Sequence, residues 1–236
     1  KHWKINSPKE FEKLISGDTP IVGDNLMITF DDGFSSNRAV AERILNPMGI
    51  QALFFVISDL VNIDNHEEAR KFIANKIFPD LELSDIPMHW GNMQWNDLEA
   101  LIEQGHTIGC HTKNHVALSD CSSTEELEDE IIVSADNLMG TLGCKIEHFA
   151  FSFGGINSFS REALAIAKRR FSFIYTGIRG NNVKVCSPFA IRRDAVSNQL
   201  SDNEYTLFNN KLLSAFLGGA ADFHYAKHRR TIDSWC

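Results

Sequence analysis

The chain has 236 residues, enough for one large domain and thin for two; its 43% hydrophobic and 23% charged shares exclude disorder and a disulfide-stapled miniprotein. Acidic residues outnumber basic ones by 31 to 23, and the net charge of −8 weighs against a general nucleic-acid binder. Charges interrupt every apolar run before the roughly 18–20 residues of a membrane span, and no basic-then-apolar leader is present, although a chain starting at Lys1 could have lost one.

Strand and helix patterns alternate along the chain. Residues 26–30 (Leu-Met-Ile-Thr-Phe) are apolar on both faces, as in a strand of a parallel sheet covered on both sides, and they end at Asp31-Asp32-Gly33. Ser36 or Asn37 can cap a helix through Ile44 and Leu45 that Pro47 and Gly49 stop. Residues 52–57 repeat the strand pattern, 94–104 form a helix ended by Gly105, and 106–110 form a third strand. Ser123 and Glu126 have capping-box spacing and open a long helix, with Leu127, Ile131, Ala135, Leu138, Met139 and Leu142 on one stripe. Strands at 149–153, 171–176 and 189–196 follow, with a helix at 160–170. This rhythm predicts an α/β fold with a parallel sheet, a closed or nearly closed barrel being favoured; no Gly-rich dinucleotide fingerprint follows the first strand.

Two stretches break the rhythm. Residues 59–92 carry many acids and two prolines without a clean period, and read as an insertion with a short helix at 66–76 and a loop over the top face. Residues 205–236 read as a helical tail, with Leu212, Leu213, Phe216 and Leu217 on a buried helix before the basic cluster Lys227, His228, Arg229 and Arg230. The whole chain, 1–236, is expected to be one domain. Cys110, Cys121, Cys144, Cys186 and Cys236 are odd in number and include no C-x-x-C pair, which fits reduced thiols in a cytosol-like compartment.

In parallel α/β folds chemistry gathers at the carboxyl ends of the strands. Asp31 and Asp32 stand at one such end, where two adjacent carboxylates repel unless a cation or a shared proton offsets them; a plain Asp-Gly turn is the competing reading. His111 and His115 stand at another. Imidazoles four residues apart on a helical turn face the same way and can converge on Zn²⁺ or a similar ion, while a solvated or capping pair is equally consistent with the spacing. Two histidines with one aspartate make three protein ligands and leave positions open for water, the catalytic arrangement; the second carboxylate is then free to act as a general base.

Thr29-Phe30-Asp31-Asp32-Gly33 followed by His111-Thr112-x-x-His115 resembles the polysaccharide deacetylases, a carbohydrate esterase family that includes nodulation-factor, chitin and peptidoglycan deacetylases. Residues 51–57 resemble the family's "ATFFV" strand, 94–98 its "TWxxL" helix start, and 105–110 also match. The resemblance implies a distorted (β/α) barrel of about seven parallel strands. It also implies a divalent metal, zinc first among candidates, on Asp32, His111 and His115, with Asp31 as the base and the Phe153 N–H as an oxyanion donor. Residues 149–154 (Phe-Ala-Phe-Ser-Phe-Gly) depart from the family's "FAYPFG" or "RxPY": Ser152 replaces the proline and the arginine is absent. Arg193, with Arg192 as the alternative, aligns with the arginine of the family's late "LPRI" strand, which lies near the catalytic aspartate. The family's last motif, ending in a catalytic histidine, is not recognisable; His224 and His89 are its nearest candidates, and the general acid stays unassigned. His106 and Cys110 read as structural.

The implied reaction is removal of an N-acetyl group from a sugar of a surface polysaccharide or its lipid-linked precursor, such as an O-antigen chain. The expected setting is cytoplasmic, with Phe216, Leu217, Tyr225, Arg229, Arg230 and Trp235 available for peripheral contact with the inner membrane or a lipid carrier. No nucleic-acid partner is expected. Hydrolysis of another small amide or formyl group, or a catalytically inactive sugar-binding homologue, are the alternatives.

Overall fold

The computed structural model describes residues 3–182, 187–196, 209–220 and 222–236; Cys186 and the start of the expected tail lie outside the described residues. Strands β3 (Thr29–Phe30), β4 (Leu53–Val56), β5 (Thr107–Cys110), β6 (His148–Ala150) and β7 (Phe173–Tyr175) form one parallel sheet in sequential order. Sequential order with a helical crossover at every step is the winding of a (β/α) barrel. The sheet has five strands rather than the expected seven. Of the strands expected from the sequence, the one at 189–196 is missing from the sheet and the one at 26–30 is shortened. The run 26–30 is split: β2 (Asn25–Leu26) pairs with β1 (Lys4–Ile5) in a separate ribbon, and only Thr29–Phe30 join the main sheet. The run 189–196 contributes a single bridge, Ile191 to Tyr175, since the N–H and carbonyl of Arg192 are both taken by the Asn182 side chain.

Alternation along the strands sorts the core into two layers. Phe54, Val56, Ile108 and Phe149 face outward onto the helices, including α5 (Trp95–Glu103), α7 (Ser134–Leu142) and α8 (Arg161–Arg170). Leu53, Phe55, Ala150, Phe173 and Tyr175 face inward. The amphipathic helix α1 (Pro8–Ile15), opened by a Ser7–Glu10 capping box, packs Phe11 and Ile15 against that inner layer. Glu12 of the same helix bonds the buried His148 Nε2 at 3.1 Å, and His148 Nδ1 meets the Tyr175 hydroxyl at 3.0 Å.

The insertion contains the helix expected at 66–76, and the rest of it is more ordered than a loop. Helices α3 (Ser58–Val61) and α4 (His66–Phe72), the latter extended by a π turn at Ile73–Ile77, enclose a small core of Leu60, Ala69, Ile73, Ile77 and Ile86. Arg70 is buried there because it donates to the carbonyls of Leu83 and Ile86. The tail differs from its sequence reading too. The helix Asn210–Leu217 forms, but Leu212 is 45% exposed and Leu213, Phe216 and Leu217 are half-buried, so it is not a core helix.

Candidate active site

Because the strands run parallel, Asp31-Asp32, His111-His115, Phe151–Phe153 and Thr176-Gly177 all emerge at one rim. The turn after β3 is fixed by Gly33 N–H donating to the Asp31 carbonyl at 2.9 Å and by Asn37 Nδ2 donating to the same oxygen at 3.1 Å. Asp32 then adopts a left-handed backbone, φ 71°, and its Oδ1 lies 3.4 Å from both His111 Nε2 and His115 Nε2.

The histidines converge by a route the spacing does not show. Residues 111–115 form a loop rather than a helical turn, with Thr112 and His115 both left-handed, φ 65° and 55°. Among the described residues, the non-glycine residues with positive φ are Asp32, Thr112, His115 and Phe153, and all four belong to this site. Each such conformation costs about 1–3 kcal/mol and persists only where the surroundings over-determine it. That strain is the strongest signal of function in the structure, and no sequence pattern reports it.

The tautomers follow from the acceptors. His111 Nδ1–H donates to the Ala150 carbonyl at 2.8 Å, and His115 Nδ1–H donates to the Lys76 carbonyl at 2.9 Å. A carbonyl can only accept, so in the neutral imidazoles each Nε2 carries its lone pair toward Asp32. Lys76 belongs to the insertion, which therefore orients one of the two imidazoles. Asp32, His111 and His115 offer three ligand atoms within 4.8 Å of one another. Two neutral imidazole nitrogens and a carboxylate oxygen, each imidazole backed by a carbonyl, fit a divalent first-row cation.

Asp31 is held separately. Arg193 Nη1 donates to its Oδ1 at 2.6 Å, while Asp31 Oδ2 is 3.8 Å from His111 Nε2. Arg193 is itself fixed by Nε donating to the Thr176 carbonyl at 3.2 Å and by Phe55, whose ring it overlies. Arg192 instead forms a two-pronged pair with Asp233, so Arg193 is the arginine that reaches the aspartate. Burial opposes ionisation of Asp31, but the Arg193 guanidinium and then His111 outweigh it and hold the carboxyl below its usual range. Burial likewise opposes protonation of His111, and there Asp31 and Asp32 overcome it, lifting its pKa; burial and the His111 charge depress His115.

Ser152, standing where the family has proline, is buried and hydrogen-bonds Thr112 Oγ1 at 3.0 Å, while Thr112 Oγ1 accepts the His115 N–H at 3.0 Å. The substitution thus ties the loop after β6 to the histidine loop. Phe153 has φ 60°, its ring lies 4.6 Å from His115, and its N–H meets no acceptor among the described residues. Gly154 follows, also left-handed, where a Cβ would lie 2.7 Å from Gly177 Cα. Gly154→Ala should therefore displace this loop and destabilise the fold by about 1–3 kcal/mol, read as a lower urea midpoint.

Asp31, Asp32, His111, His115, Phe153 and Arg193 all line one cleft of about 1480 Å³. His89 and His224 are exposed and do not line it. His106 is structural: its Nδ1 accepts from Ala52 N–H and its Nε2 bonds Asn46 Oδ1. Cys110 is fully buried, and burial pushes its thiol up to about 12, which makes it inert.

Among solved structures, IcaB from Ammonifex degensii superposes with a TM-score of 0.68 at 19% identity, over 91% of this chain and 82% of its own. The deacetylase PplD of Streptococcus pyogenes, solved with acetate, gives 0.65 at 19% identity over 84% and 76% of the two chains. A de-N-acetylase from Aggregatibacter actinomycetemcomitans gives 0.65 at 15% identity over 91% and 83%. At these identities the likeness is one of fold. No curated protein matches the chain. A profile of the polysaccharide deacetylases matches residues 21–171, more than half of the chain and every strand of the sheet up to β6, and the chain therefore belongs to the polysaccharide deacetylase family.

Proposed function

We propose that this chain is a metal-dependent hydrolase that removes the N-acetyl group from a sugar of a surface polysaccharide or its lipid-linked precursor. The observation that carries this reading is the approach of Asp32 Oδ1 to both imidazole Nε2 atoms at 3.4 Å, with Asp31 beside them on a separate tether. When bound to Asp32, His111 and His115, a divalent cation, most simply zinc, supplies Lewis-acid polarisation of the acetyl carbonyl and of an attacking water.

The chain's own groups do the rest. Asp31, kept ionised by Arg193, accepts at Oδ2 the proton that the attacking water gives up. The Phe153 N–H donates to the oxygen on which negative charge develops; a well-placed donor of this kind is worth roughly 3–4 kcal/mol. Neither His89 nor His224 lines the cleft, so the proton gained by Asp31 is the one at hand for the departing amine. Acetate and a free amino sugar leave.

The whole of 1–236 serves this site in our reading, as one domain: the insertion supplies the Lys76 carbonyl, and the tail engages Arg192 through Asp233. No helix of the described residues is long and apolar enough to cross a membrane. A cytoplasmic site of action at the membrane surface is part of the proposal. It is supported by the free thiols Cys110, Cys121, Cys144 and Cys236, which suit a reducing compartment, and by the basic helix Ala226–Asp233.

The test is acetate release from N-acetylhexosamine oligomers by the full chain loaded with zinc. Acetate in step with new free amines is the expected result. Release of formate from an N-formyl analogue, with none from the acetylated oligomers, would move the assignment to another small amide; no release from either would leave a sugar-binding homologue.

A further inference from the structure

The loop between the two metal-binding histidines has an anchor outside the site. Its middle residues, Lys113 and Asn114, each carry a backbone N–H that the surrounding strands do not satisfy. Glu130 satisfies both: its Oε2 accepts from Lys113 N at 3.0 Å and from Asn114 N at 2.9 Å, and its Oε1 accepts from Asn114 Nδ2 at 3.0 Å. The loop's carbonyls are taken up from the other side, Thr112 by Ser58 N–H and Lys113 by Asp59 N–H. His111 N–H donates to Val56 and His115 N–H to Thr112 Oγ1. The left-handed residues Thr112 and His115 bracket the two residues that Glu130 grips.

The placement of Glu130 is unusual for its helix. Of the acids at 125, 126, 128, 129, 130 and 136, it alone is buried, at 7% exposure. It lies in a π turn, Asp129–Val133, that joins α6 (Thr124–Glu128) to α7. The wider turn interrupts the regular helical repeat, a device that recurs beside functional sites, and it sits where the carboxylate must reach the loop. Lys113 Nζ pairs with Asp129 Oδ2 at 2.8 Å, so the loop's cation is neutralised without competing for Glu130.

We propose that Glu130 is a positioning residue for the metal site, holding the 111–115 loop in the strained conformation that aims both imidazoles at Asp32. The inference rests on the reading of Asp32, His111 and His115 as metal ligands, and it adds a residue that touches neither cation nor substrate. Groups that orient ligands from outside typically contribute 10–100-fold, as an order of magnitude, to metal affinity.

The experiment measures zinc affinity of the metal-stripped full chain by competition with a chromophoric chelator, beside thermal melts of the same metal-free proteins. Glu130→Ala should weaken zinc binding by about 10–100-fold, with kcat recovering toward wild type at saturating zinc. Glu130→Gln, whose single carbonyl oxygen can still accept both N–H groups but whose amide faces Asn114 Nδ2, should fall between the two. Wild-type zinc affinity in Glu130→Ala, with only a lower melting temperature, would overturn the proposal by reducing Glu130 to a structural part. Should that variant not fold, wild-type affinity in Glu130→Gln overturns it equally. A wild-type chain that takes up no zinc removes the ligand reading itself, and the positioning role with it.

Discussion

Asp31→Asn should leave zinc content unchanged and lower kcat for acetate release by about 10²–10⁴-fold, the range a well-placed general base contributes. The substitution keeps shape and leaves an amide oxygen for Arg193, so the contact at 2.6 Å survives as a hydrogen bond from the guanidinium to a neutral acceptor. What it removes is the ability to take a proton at the oxygen facing His111. Metal content by elemental analysis and turnover by acetate assay separate the two roles of the adjacent aspartates: Asp32→Asn should lose metal, Asp31→Asn only turnover. A fully active Asp31→Asn chain would assign the base elsewhere.

His111→Ala should lose both metal and activity. His111 offers one of the three proposed ligand atoms and is 2% exposed, and its Nδ1–H satisfies the Ala150 carbonyl. Its removal should weaken zinc binding beyond the 10–100-fold typical of outer-shell partners. It also leaves the Ala150 oxygen unpaired in the interior, a destabilisation of about 1–3 kcal/mol. Chelator treatment of the wild type should reproduce the loss of activity, and added zinc should restore it there but not in the variant. A thermal melt establishes that the variant is folded under assay conditions, and retention of zinc by folded His111→Ala would remove this histidine from the ligand set.

The helices at 94–104 and 160–170 were legible in the sequence because caps and a 3.6-residue stripe are local signals, and both are present at Trp95–Glu103 and Arg161–Arg170. The strand count was not. A five-residue apolar run such as 26–30 looks the same whether it pairs once or splits between two sheets, since pairing is decided by partners distant in the chain. The short helix expected in the insertion is present, at His66–Phe72 and Ile73–Ile77, but the order around it was not legible for a related reason. The insertion's small core is assembled from short helices, and the burial of Arg70 depends on carbonyls 13 and 16 residues away.

By itself the sequence determined which donors are present and in what order. Two carboxylates follow one strand, two imidazoles follow another, and the parallel rule brings them to one rim. The resemblance to the family implies the roles proposed for them. Only the tertiary structure decided the rest: that Arg193 rather than Arg192 meets Asp31, and that Lys76 and Ala150 set the imidazole tautomers. It also showed that Ser152 is tied in where a proline was missing, and that His89 and His224 stay outside the cleft. The reason is common to all of these. Residue type and spacing report what a side chain can do, whereas its direction is set by backbone angles in loops and by acceptors supplied from elements far away in the chain.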